Sequence, residues 1–186
     1  MVFIINLMNE LGLMSYELNC IIAQSNNNVI GNNNEIPWHL PNDLRQFRLL
    51  TLHNIVVMGR KTYESLPVKK LNKRINIVIT TTPEKYTNEE DLFFCKKGDA
   101  LSLCKSIWQE TDKKIFIIGG SDIYRMFLND YHKLYITHID MNVKGNVKSP
   151  FTEKYLETYK ITYTSEVQNE SNIDYTFKTY EKNFLL

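Results

Sequence analysis

Apolar runs of strand length, recurring through the chain and separated by stretches of helical spacing, constrain its fold more than any other feature. The runs are Leu18 to Ala23, Ile55 to Met58, Ile75 to Ile79, Leu92 to Cys95, Ile115 to Ile118 and Leu134 to Ile139. Several are continuous rather than alternating, as strands covered on both faces are. Between them, Pro41 to Leu52, Lys61 to Leu66, Asp99 to Trp108 and Ser121 to Leu128 read as helices. Alternation of this kind implies parallel strands joined by right-handed crossovers. Near the end, Tyr159 to Gln168 and Asp174 to Glu181 alternate aromatic or β-branched residues with polar ones, the pattern of an antiparallel hairpin. The predicted class is α/β: a single domain with a central, mostly parallel β-sheet flanked by helices and an antiparallel C-terminal hairpin.

A chain of 186 residues can bury one substantial core. With no repeat, charge block or Gly/Ser linker, the domain is expected over residues 17–186. Residues 1–16 read as an extension, in which Ile4, Leu7 or Met8, and Leu11 have helical spacing. Lys and Arg number 22 against 21 acidic residues, for a net charge of +1. Polyanionic partners demand a basic excess, so nucleic acid and anionic membranes are not expected. Cys20, Cys95 and Cys104 form no C-x-x-C pair and lie beside no histidine cluster, so neither a disulfide frame nor a metal site is expected. With reduced cysteines and an N-terminus without a secretory pattern, a cytoplasmic location is expected.

The helix from Pro41 shows its register plainly. Proline suits the first turn, and Leu44, Phe47 and Leu50 or Leu52 recur at spacings that make one apolar face. Asp43, in that first turn, is on frequency alone an ordinary dipole partner.

Average usage puts about 13 glycines in this length, so the 7 present are few and their positions matter. Gly31 follows the first strand, Gly59 follows Ile55 to Met58, and Gly119-Gly120 follows Ile115 to Ile118. Where a strand hands over to a helix, glycine lets a ligand approach the backbone, and the helix start suits a phosphate. There is neither a P-loop nor a G-x-G-x-x-G fingerprint. Arg60, Lys61 and Thr62, with Thr80, Thr81 and Thr82, instead gather cations and hydroxyls suited to a phosphate monoester.

The blocks Val29-Ile30-Gly31, Pro37-Trp38-His39-Leu40-Pro41-Asn42-Asp43-Leu44, Met58-Gly59-Arg60-Lys61-Thr62, Ile118-Gly119-Gly120-Ser121 and Leu134-Tyr135-Ile136-Thr137-His138-Ile139 stand in order along the chain. In that order and approximate spacing, the sequence resembles the dihydrofolate reductase family from about Leu18 to Lys182. The resemblance implies NADPH-dependent reduction of 7,8-dihydrofolate. Asp43 would be the buried acid that engages the pterin, braced by Thr137. A carboxylate among Ile22, Leu44, Phe47 and Ile118 has its pKa raised by desolvation, which suits it to hold a proton.

The other roles follow from the same likeness. Ala23, Ile30, Gly31 and Tyr124 would neighbour the nicotinamide. Gly119, Gly120, Ser121 and Ile123 would meet the pyrophosphate. Gly59, Arg60, Lys61, Thr62, Thr80 and Thr81 would hold the adenosine and its 2′-phosphate. Ile21, Ile22, Phe47, Leu66 and Ile118 would line the substrate pocket, with Arg74 gripping its glutamate carboxylate. Trp38 would act with a closing loop from Asn26 to Ile36, and a cis peptide is expected at Gly119-Gly120. Asp122 stands where some members carry a basic residue. Dihydrofolate is the expected partner of a monomer without a metal. The rival readings are the related pyrimidine reductase of riboflavin biosynthesis and a binding protein without turnover.

Overall fold

The computed structural model describes residues 16–183. Residues 1–15 of the expected N-terminal extension lie outside the described residues. The central sheet has nine strands in the order β10-β11-β7-β1-β6-β3-β4-β5, with β9 also paired to β11. Its parallel part comprises β1 (Leu18–Ser25), β3 (Ile55–Gly59), β4 (Ile75–Ile79), β5 (Leu92–Cys95), β6 (Ile115–Ile117) and β7 (Lys133–Ile139).

Continuity of the apolar runs has a simple cause. On β3, Ile55 and Val57 enter one hydrophobic cluster while Val56 and Met58 enter another, because successive side chains leave opposite faces of a strand. Helices α3 (Ala100–Thr111) and α4 (Ser121–Met126) contribute to the first cluster, and Leu50 of α1 (Pro41–Thr51) packs against the second. The expected apolar stripe on α1 is therefore divided. Leu50 goes to the core, whereas Leu44 is 51% exposed and faces a cavity with Phe47.

The C-terminal hairpin differs from its expected outline. Its first arm breaks into β9 (Tyr159–Thr164) and β10 (Gln168–Glu170), both antiparallel to β11 (Ile173–Lys182), which in turn pairs antiparallel with β7. Ser165 causes the break: its Oγ accepts the Phe177 N–H at 3.0 Å, replacing a ladder carbonyl. Two short strands, β2 (Val29–Gly31) and β8 (Val147–Lys148), form a separate ribbon. A one-turn helix, α5 (Glu153–Leu156), is capped by Thr152, whose Oγ1 accepts the Tyr155 N–H.

Candidate active site

A cavity of about 1570 Å³ crosses the C-terminal ends of the parallel strands. Such crevices are where open α/β sheets bind ligands, because the loops and helix starts of adjacent strands converge there.

One end is acidic and apolar. Asp43 reaches it from the first turn of α1, and Ile22, Phe47, Leu66 and Ile118 supply apolar wall. Thr137 of β7 stands behind the wall and donates from Oγ1 to Asp43 Oδ1 at 2.6 Å. Burial raises the Asp43 pKa, the Thr137 bond lowers it, and the charge of Glu170 raises it. Ile21, Ala23, Ile30, Gly31 and Trp38 also line the cavity. Tyr124 lines it with a buried ring, and its hydroxyl donates to the Ile21 carbonyl at 2.9 Å.

The middle is shaped by glycine. Gly119 has φ +104° and is joined to Gly120 by the expected cis peptide. A Cβ on Gly119 would sit 2.8 Å from the Tyr124 ring, and one on Gly59 would sit 2.9 Å from Ile123. Gly59 N–H donates to Gly119 O at 2.7 Å, so the two junctions are bonded to each other. Gly59, Gly120, Ser121 and Ile123 line the cavity, while Gly119 lies behind it.

The far end is cationic and rich in hydroxyls. Arg60, Lys61 and Thr62 of α2 (Arg60–Glu64) meet Thr80 and Thr81, which follow β4. Arg60 Nη1 is bonded to Glu64 Oε2 at 2.6 Å, and Tyr86 donates to the other oxygen of Glu64. Lys96 and Lys97 also line this end, and the sequence reading missed them. The signal was available: they follow β5 directly, so a parallel β5 had to deliver them beside Thr80.

Arg74 departs from its expected place. It is buried at 8% exposure behind Phe47, its guanidinium 6.0 Å from the ring centroid, and is not part of the cavity wall. Thr51 Oγ1 accepts from its Nη1 at 3.2 Å and Asn72 O from its Nε at 3.1 Å, which holds it back.

Asn28, Asn33 and Asn34 adopt positive φ, a conformation asparagine tolerates better than most residues. Asn33 N–H donates to Asn146 Oδ1 at 3.1 Å, and Asn146 Nδ2 donates back to Asn33 Oδ1 at 3.0 Å. The loop beside the cavity is thereby fastened to the segment between β7 and β8.

Among the described residues, no group of three or more His, Cys, Asp or Glu side chains comes together as a metal site. No helix among them is long and apolar enough to cross a membrane.

A mostly parallel sheet with a long cleft over its strand ends, acidic at one extremity and cationic at the other, defines an α/β protein whose cavity has room for an elongated ligand. The family model described as dihydrofolate reductase matches residues 17–182. The chain belongs to the dihydrofolate reductase family and is an enzyme of that family. It is 38% identical over 162 residues to a dihydrofolate reductase of Buchnera aphidicola subsp. Schizaphis graminum, covering 87% of this chain and 95% of the relative. Against the dihydrofolate reductase of Bacillus subtilis the identity is 33% over 164 residues, 87% of this chain and 92% of the relative. For that of Sus scrofa it is 34% over 185 residues, 89% and 98%.

Proposed function

We propose that this chain reduces 7,8-dihydrofolate to 5,6,7,8-tetrahydrofolate with NADPH, by hydride transfer to C6 and protonation at N5, in support of one-carbon metabolism and thymidylate synthesis. The observation that carries this reading is the Asp43–Thr137 pair at one end of a cavity whose other end gathers Arg60, Lys61, Lys96 and Lys97. A neutral heteroaromatic ring suits the first end and a phosphate monoester the second.

The residues present fit NADPH. Gly59 and Gly120 leave the wall without side chains midway along the cleft, where a bulky cofactor has to approach backbone. Arg60, Lys61 and Thr62 would hold the 2′-phosphate with Thr80, Thr81 and Lys97. Ser121 and Ile123 would flank the pyrophosphate, and Ala23, Ile30, Gly31 and Tyr124 the nicotinamide. When bound, the nicotinamide supplies the hydride.

Asp43 does the proton work. Oδ1 already accepts from Thr137, so Oδ2 is left to engage the pterin. Desolvation favours the neutral carboxyl and raises the Asp43 pKa above the ordinary carboxylate value, the direction that helps Asp43 carry a proton and bias N5 toward its protonated form. Phe47, Leu66, Ile21, Ile22 and Ile118 hold the rings and exclude water, and Trp38 closes the side next to the loop. Arg74 stands behind Phe47 with Nε bonded to Asn72 O and Nη1 to Thr51 Oγ1, and the other N–H groups of its guanidinium would be the ones to meet the glutamate tail.

The test follows NADPH absorbance with and without dihydrofolate, with an Asp43→Asn variant as control. Dihydrofolate-dependent oxidation by the parent and its loss in the variant are expected. No oxidation by the parent would overturn the activity, and full oxidation by the variant would overturn the role of Asp43.

A further inference from the structure

Helix α1, which carries Asp43, begins without a cap of its own. Leu40 stands at its N-cap and makes no side-chain cap bond, and Pro41 has no N–H to offer. The next amide, that of Asn42, is satisfied from far along the chain: it donates to Glu170 Oε2 at 3.1 Å. Asn42 Nδ2 also lies 3.4 Å from the hydroxyl of Tyr175. Glu170 ends β10 and Tyr175 lies on β11, so the C-terminal hairpin sets a carboxylate against the start of the helix, beside the residue that precedes Asp43.

This arrangement opposes an electrostatic problem. A helix N-terminus carries roughly half a positive charge, which stabilises an ionised carboxylate in the first turn. For a group that has to hold a proton, that influence works in the wrong direction. A Ser, Thr or Asn cap would satisfy the amide and leave the positive end in place. Glu170 satisfies the amide and adds negative charge.

We propose that Glu170 is a positioning residue for proton transfer: its carboxylate offsets the positive end of α1 and so keeps Asp43 able to hold a proton. The consequence for rate rests on the catalytic reading of Asp43; the electrostatic claim does not.

The other groups near Asp43 do not replace it. Thr137 approaches from β7 as a hydrogen-bond donor, Tyr124 from α4 and Tyr175 from β11. Arg45, one turn along α1, is exposed and lines a small surface cleft with Asn42, Glu170 and Tyr175. Glu170 is the neighbouring charge that raises the Asp43 pKa, after burial has done so.

The experiment uses the full chain with carbon-13 at its carboxyls and follows the Asp43 titration by NMR, the signal being assigned by its absence in Asp43→Asn. Glu170→Gln keeps an acceptor for the Asn42 amide and removes the charge. Its Asp43 midpoint is expected to fall by about half a pH unit, roughly a threefold weaker hold on the proton. Glu170→Asp, which restores the charge, is expected to recover most of that shift. An unchanged midpoint in folded Glu170→Gln would overturn the proposal, as would equal falls in the Gln and Asp variants. Where Glu170→Gln melts too low to titrate, the parent decides: about 0.5 M salt screens the partly exposed Glu170 and lowers the midpoint, and a salt-independent midpoint overturns the proposal. The pH at which turnover falls to half should move down with the midpoint. A moved midpoint with an unmoved rate profile supports the role of Glu170 and counts against that of Asp43.

Discussion

Thr137 Oγ1 donates to Asp43 Oδ1 at 2.6 Å, joining the middle of β7 to the first turn of α1 across 94 positions of sequence. The bond orients the carboxyl and, by favouring its ionised form, moderates the rise caused by burial. Thr137→Val keeps the shape and removes the donor. The Asp43 midpoint should then move up, and turnover at neutral pH should fall roughly fivefold to tenfold, about the value of one such bond. A rate profile over pH checks both effects, and a downward move of the midpoint would contradict the assignment.

His138 makes stability depend on acid. Burial, and then the nearby charge of Lys178, lower its pKa to about 4, and its Nε2 lies 2.8 Å from the Tyr180 hydroxyl. The folded pKa lies below the ordinary value of 6.5, so the stabilisation is complete above that value. It is lost as pH falls toward 4, because the unfolded chain binds the proton first. Between pH 7 and pH 5 the loss should be on the order of 1–2 kcal/mol by urea unfolding. A His138→Gln variant should show a flatter acid limb; an identical limb would clear His138 of the effect.

Glycine substitutions should separate by surroundings. A Cβ on Gly145 would sit 2.6 Å from Gly31 O and collide with Val29, whereas one on Gly98 meets nothing within 4 Å. Gly145→Ala should destabilise by about 1–3 kcal/mol through overpacking. Gly119→Ala adds a positive φ of +104° to a contact with the Tyr124 ring and should cost at least as much. Gly98→Ala should stay within about 0.5 kcal/mol of the parent. Thermal melts of the three variants give the ranking directly.

Cofactor choice should reside in the cationic end. Arg60→Ala and a Lys96→Ala, Lys97→Ala double variant should each raise the KM for NADPH about tenfold and leave that for NADH nearly unchanged, since only NADPH brings the extra phosphate. The difference should shrink as salt rises. Equal effects on both cofactors would place the phosphate elsewhere.

How much was legible in the sequence follows from how each feature is encoded. Strands β3, β4 and β5 announced themselves because both faces are covered, and α1 because Pro41 and its leucines set a local period. β2 and β8, at three and two residues, are too short to carry a period. The break at Ser165 depends on a bond to Phe177 that no local pattern predicts. Asp43 became a candidate through resemblance, since alone it reads as a dipole partner. Glu170 reaches it only through the closure of the C-terminal hairpin onto α1. Arg74 became a candidate through resemblance alone, and its place behind the Phe47 ring, bonded to Thr51 and Asn72, is set by tertiary contacts that no local pattern encodes.

On the proposed mechanism, Asp43 holds a proton for the reacting ring. The most direct measurement is the ratio of hydride-transfer rates of the parent and Asp43→Asn across pH, with NADPH and dihydrofolate saturating. Where solvent itself protonates the substrate, the acid is dispensable, so the ratio should be large near neutrality and shrink steadily as pH falls. A ratio that stays constant with pH would show that Asp43 only positions the substrate, and would contradict the account.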